Sequence, residues 1–181
     1  MTPDTPDEPQ SIWVKAGVDL DGTYRLVVEY NADTAETFDQ PGATAYASEI
    51  FTAVAYAEYD AAVLTQMTTG WGLPPEEAVE VVRGLRGDRP PLNDTALGLL
   101  RLAPRIAART SKPFLACSLS SHSMTWQWDP QDANQHAGYV VQCYPVATLD
   151  SAYRRYLVGV VGIDQGRAMH VVEDLANWRA H

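Results

Sequence analysis

The clearest alternation of apolar and polar positions lies near the start of the chain. Ile12, Val14, Ala16 and Val18 alternate with Trp13, Lys15, Gly17 and Asp19, and Tyr24, Leu26, Val28 and Tyr30 follow with the same period. A period of two puts one set on each face of a strand. With Asp21-Gly22 as the turn between the runs, a β-hairpin is predicted, with Trp13 on the face away from the core. The polar, acidic stretch 31–42 is expected to be a loop. From 43 to 67 the period changes. Ile50, Val54, Ala57, Ala61 and Leu64 recur at steps of three and four, which makes one face of a helix. This long central helix, near 43–69, is the element around which the chain is expected to be organised, and Thr69-Gly70-Trp71-Gly72 ends it.

Pro74-Pro75-Glu76-Glu77 predicts the start of a second helix, because proline and acids are favoured in a first turn. Asn93 or Asp94 can cap a third, expected to reach Arg109. Its Arg101, Arg105 and Arg109 would share a face, and Pro104 would kink it. Between 113 and 128 the apolar phase shifts. Leu115, Cys117 and Leu119 are odd-numbered while Met124, Trp126 and Trp128 are even, so a bulge, twist or loop is needed across Ser120-Ser121-His122-Ser123. A strand over 139–146 is expected to pair with this segment. Residues 151–163 read as a helix, with a short strand over 158–163 as the alternative, and a last amphipathic helix runs to about Trp178. The two hairpins do not match each other in sequence, so no internal repeat is expected. The pattern predicts an α+β fold in which two antiparallel β-hairpins form one sheet covered by four to five helices. It occupies a single globular domain, 11–181, after an acidic leader over 1–10 expected to be disordered.

Composition changes this picture only in its electrostatics. The net charge is −10, and fifteen of the 23 acidic residues precede Arg83, against Lys15 and Arg25 alone. Such a balance argues against non-specific binding to nucleic acid. Two cysteines, Cys117 and Cys143, in apolar runs are expected to be buried thiols rather than a disulfide framework. No basic-then-apolar leader and no uncharged span of membrane length is legible, so a cytoplasmic protein without membrane contact is expected. The central helix carries three charges, Glu49, Glu58 and Asp60, all acidic. They are expected on its rim, with at least one turned toward an arginine.

Candidate chemistry is sparse. Ser121 and Ser123 flank His122 on the opposite face of a strand, where the imidazole cannot activate them. His122, His136, Asp129 and Asp132 follow no ligand spacing. No catalytic residue, metal site or cofactor is therefore expected. The expected function is that of a non-enzymatic protein-binding or adaptor protein that has a protein partner or self-associates, possible as a homodimer through its helix or its tryptophan-bearing sheet. An alternative is a small-molecule binding protein, or an enzyme with few signposts, with an aromatic pocket between sheet and central helix. Tyr56, Tyr59, Trp126, Trp128 and His122 would line that pocket, with Arg101 or Arg105 at its mouth for a small aromatic or anionic ligand. A structural or assembly protein is the third class.

Overall fold

The computed structural model describes residues 12–120 and 122–179. The leader over 1–10, Ser121 and His181 lie outside them. The fold is α+β, but with two three-stranded antiparallel sheets in place of one. The first sheet is a meander of β1 (Trp13–Val18), β2 (Tyr24–Asn31) and β3 (Thr34–Phe38). The Asp21-Gly22 turn forms as predicted. Gly22 takes φ 87°, and Asp21 Oδ1 accepts from the Thr23 N–H at 2.9 Å. The stretch expected to be a loop contains β3, whose Phe38 lies opposite Leu26. Its acids hid a five-residue alternation.

The central helix appears as α1 (Gln40–Thr65), prolonged by a π-helical turn, Gln66–Gly70. Asp39 caps it, its carboxylate accepting from the Gly42 N–H at 2.8 Å. Ile50, Val54, Ala57, Ala61 and Leu64 are all buried, as the spacing required, whereas Tyr59 is exposed. Next come α2 (Pro75–Asp88) and the single turn α3 (Asp94–Leu97). Asn93 does cap α3, but Gly98 adopts φ 63° and stops it. The cationic helix therefore does not exist. Arg101 and Arg105 lie on β4 (Leu100–Ile106) and Arg109 in the turn beyond it.

The phase shift near Ser120 is the turn between β5 (Pro113–Leu119) and β6 (His122–Trp128). The strand expected over 139–146 is instead part of α4 (Pro130–Tyr156), a helix that accommodates Pro145. Its Tyr-Val-Val run suggested a strand, but Ala133, Ala137, Val140, Cys143 and Ala147 are buried at helical spacing. A second π-helical turn, Leu157–Val161, and α5 (Gln165–Arg179) complete the described chain.

The order β-β-β, long helix, π-turn, helix thus occurs twice. The hairpins conceal this because they differ in sequence; the helices reveal it at a spacing of ninety residues. Asp39 and Asp129, Ala57 and Ala147, Asp60 and Asp150, Gly72 and Gly162, Ala78 and Ala168, and Arg89 and Arg179 are identical pairs. Their structural roles match too. Asp129 caps α4 through the Gln131 N–H at 2.8 Å. Gly72 and Gly162 both take positive φ, 71° and 79°, behind the π-turns. Leu73 donates to Met67 O and Ile163 to Leu157 O, each at 3.0 Å.

The contacts of the chain divide into two compact units. One, over 44–139, holds most of α1, α2, α3, the second sheet and the start of α4. The other, over 12–43 and 140–179, holds the first sheet, the rest of α4 and α5. Each unit therefore combines a sheet from one half of the sequence with helices from the other half.

Candidate ligand cleft

The residues singled out in the sequence fall in the 44–139 unit. Tyr56 is half-buried; its hydroxyl donates to Pro90 O at 3.1 Å, and the Arg89 guanidinium stacks 4.2 Å from its ring centre. Arg101 donates to Gly98 O and Leu100 O at 2.6 and 2.8 Å and approaches Asp94 at 3.5 Å, so its donors serve the backbone around α3. Arg105 donates to Pro104 O at 3.1 Å. The side chain of His122 lies outside the described part of the chain. Trp126 and Trp128 share the inner face of β6, opposite Cys117 and Leu115. The aromatic partner of Trp128 is His136, with ring centres 5.1 Å apart, and His136 Nε2 lies 3.2 Å from the buried Tyr46 hydroxyl. Burial holds this imidazole in its neutral form, with its pKa pushed down to about 4.

The acids of α1 do not all stay on its rim. Asp60 is buried to 1% exposure and is held by Arg86 Nε at 2.7 Å and Arg89 Nη1 at 2.9 Å. These arginines come from the last turn of α2 and the residue that follows it, not from the stripe the sequence suggested. Glu49 accepts the Asn93 N–H at 2.9 Å. The group ties α2 and the start of α3 to α1, which is a structural task. Cys117 and Cys143 are both buried and unbridged, and desolvation pushes the Cys117 thiol up to about 12, far from nucleophilic.

A different kind of place occurs in the other unit. The last turns of α4 and one face of α5 enclose, with the end of β1, a cleft of about 240 Å³. Ala147, Asp150, Ser151 and Arg154 repeat at three and four along α4, so one helical face points into it. Met169, Val172, Glu173 and Ala176 do the same from α5, and Ala16, Gly17 and Val18 form the β1 side. Arg154 Nη2 donates to Val18 O at 3.1 Å. Its Nε and the Ser151 Oγ are shut off from solvent and have no hydrogen-bond partner. Each such group costs about 1–3 kcal/mol, so two of them on one cleft wall call for an explanation. Asp150 is neutralised by Arg179 at 3.1 Å, and Glu173 lies 3.3 Å from His170 Nδ1.

The duplication supplies an internal control. Ninety residues earlier, Arg154 corresponds to Leu64, Ser151 to Ala61 and Ala176 to Arg86, while Ile106 ends β4 as Val18 ends β1. In that unit Leu64 packs with Ala78 and Val82, and Val63, Met67 and Ile106 close against them. At these positions one unit has an apolar cluster around Leu64, with Arg86 turned to Asp60, and the other has an arginine, a serine and an alanine beside a cleft. In the sequence Arg154 stands next to Arg155 and reads as one of a surface pair. Only the ninety-residue correspondence, with a leucine at the matching position, could have marked it.

Among the described residues no group of three His, Cys, Asp or Glu side chains is placed to hold a metal ion, and no helix is long and apolar enough to cross a membrane. No family model, curated protein or solved structure matches the chain.

Proposed function

We propose that this chain is a non-enzymatic binding protein and that the cleft of α4, α5 and β1 seats a small-molecule ligand. The observation that carries this reading is a cleft lined by two residues with buried, unpartnered polar atoms, Ser151 Oγ and Arg154 Nε, where the other unit has an apolar cluster at the corresponding positions. Polar groups placed without a protein partner in a mostly apolar, concave site are what a ligand completes. Neither cleft carboxylate, Asp150 or Glu173, is hydrogen-bonded to Ser151 Oγ, so the serine is not set up as a nucleophile, which supports holding rather than turnover. The test is a series of ¹H–¹⁵N spectra of the full chain while small carboxylates, alcohols, amines and aromatic fragments are added. Saturable shifts at Gly17, Ser151 and the Arg154 Nε–H are expected with at least one class. If every class leaves those signals unmoved, the reading fails.

A second reading, association with a protein partner or a second copy, is favoured by large apolar side chains exposed at corresponding positions. Tyr59 and Leu149 are each 66% exposed, and Trp71 and Val161 stand at the two π-turn exits. Sedimentation velocity of the pure chain tests self-association; a monomer at every accessible concentration removes the homodimer.

A further inference from the structure

Resting on the second reading, self-association, we infer that two copies of this chain pair antiparallel through the outward face of α4. Val146, Leu149, Tyr153 and Tyr156 recur on that helix at steps of three, four and three, and all four are exposed. Exposed Gln142 precedes them and exposed Val160 follows, each at a step of four. A mean step of 3.5 residues is the spacing at which one helix meets another along its length. The face lies across the helix from Ala147, Ser151 and Arg154, which line the cleft, so pairing leaves the cleft free. α4 is thus apolar on two sides, and the described chain covers one of them. The corresponding positions of α1 and its π-turn are Thr52, Tyr56, Tyr59, Val63, Gln66 and Gly70. There Tyr56 is held by Pro90 and Arg89, and Val63 packs on the Leu64 cluster. Tyr59 alone of the six is a large exposed apolar residue.

The stripe is its own complement. Run antiparallel about the level of Ser151, it sets Leu149 against Tyr153 of the second copy, Val146 against Tyr156, and Gln142 against Val160. A twofold axis makes each contact twice. A smaller side chain meets a tyrosine at every central layer, and the opposed helix dipoles attract. Charge selects a second copy over a foreign protein. The chain carries −10, so most of its surface repels another copy of itself. From Ala133 to Leu149, however, α4 has no Asp, Glu, Lys or Arg, and Asp150 is neutralised by Arg179. Arg154 and Arg155 fall outside the stripe. A foreign partner drawn to so acidic a chain would offer basic groups, and this face has no free acid to receive them.

The experiment is sedimentation velocity of the full chain over a wide range of concentration. The wild type is expected to form a dimer that dissociates on dilution. Leu149→Glu and Tyr156→Glu alter exposed side chains and are each expected to weaken the dimer by about a hundredfold. Tyr59→Glu, the same change on α1, is expected to leave it intact. Mild oxidation of single-cysteine additions reads the orientation, because Cys117 and Cys143 are buried. Ala152 is exposed beside the stripe; in the antiparallel pair its two copies stand about 3 Å apart along the seam, and those of Gln142 about 27 Å. Ala152→Cys is therefore expected to give a disulfide-linked dimer and Gln142→Cys none. Linkage through position 142 and not 152 would overturn the antiparallel order. A dimer untouched by both α4 glutamates, or lost in Tyr59→Glu alone, would overturn the seam while leaving self-association standing. A wild type that stays monomeric at every concentration would overturn the inference together with the homodimer reading, and leave the face to a different occupant.

Discussion

Leu64 and Arg154 occupy the same place in two copies of one helical pattern, and they have opposite consequences. In the 44–139 unit the leucine completes an apolar cluster with Ala78, Val82 and Ile106, and the charges of that unit are collected at Asp60, Arg86 and Arg89. In the other unit the arginine stands where the leucine would be, Ala176 replaces Arg86, and the space between helices and strand stays open. One ion pair survives in both, Asp60 with Arg89 and Asp150 with Arg179, but Asp60 is 1% exposed and Asp150 23%. The comparison shows that the shared scaffold does not itself demand a cleft. Three side-chain exchanges on a preserved backbone pattern accompany the change from an apolar cluster to a cleft.

The largest expected effect is a test of that asymmetry in the ion pairs. Asp60→Ala strands two partly buried guanidinium groups beside α1 and is expected to lower stability by about 4 kcal/mol. Asp150→Ala breaks the more solvated counterpart and should cost about 1 kcal/mol. Urea denaturation of both variants measures the difference; equal losses would show that the two pairs have not diverged in role. Next in size is Leu64→Arg, which writes the cleft residue into the packed unit. With Leu64 only 9% exposed and enclosed by apolar neighbours, a loss of about 3 kcal/mol is expected in the same assay. A neutral substitution would mean that this unit, too, can open.

His136 sharpens the comparison through pH. Its counterpart ninety residues earlier is Tyr46, and the two touch each other within the packed unit. The folded pKa of about 4 lies below the ordinary histidine value of 6.5. Between these values the unfolded chain takes up a proton that the folded chain refuses. This contribution is therefore absent above about pH 6.5 and grows as a destabilisation while the pH falls toward 4. By pH 5 it should amount to about 2 kcal/mol. His136→Gln is expected to remove that part of the acid sensitivity, read as the difference between the two urea-midpoint profiles from pH 7.5 to 5. Superposable profiles would exclude the histidine as its source.

The physical grounds on which the sequence succeeded and failed follow the same division. Repetition of Ile50, Val54, Ala57, Ala61 and Leu64 located α1, because a one-sided apolar stripe has few other uses. Alternation from Tyr24 to Tyr30 located β2, and the inward face of Trp126 and Trp128 was legible in the same way. Burial of Asp60 was not, since nothing local distinguishes a carboxylate met by Arg86 and Arg89 across space from one in water. Tyr139 to Val146 looked like a strand because β-branched residues and Pro145 outweighed the buried small residues of α4 at helical spacing. The run from Arg101 to Arg109 looked helical because a left-handed turn at Gly98 leaves no mark beyond the glycine itself. The cleft was the least legible feature. Much of its wall is alanine, glycine and serine, residues that carry no signature until Arg154 is set against Leu64.

The smallest expected effect is also the one of opposite sign. Arg154→Leu returns the open unit to the composition of the packed one at the decisive position. It removes a guanidinium whose Nε has no acceptor and supplies a branched apolar side chain facing Val172, as Leu64 faces Val82. It also gives up the hydrogen bond to Val18 O. Relief of the unsatisfied donor and the added apolar burial outweigh one hydrogen bond, so a gain of about 1 kcal/mol is expected in the ligand-free chain. Thermal melting of wild type and variant without ligand measures it. A site kept for binding is stabilised by a substitution that abolishes binding, whereas a structural arginine is destabilised by it. A fall in melting temperature would therefore mark Arg154 as the clamp that holds β1 on α4, and the difference between the two units would be one of packing alone.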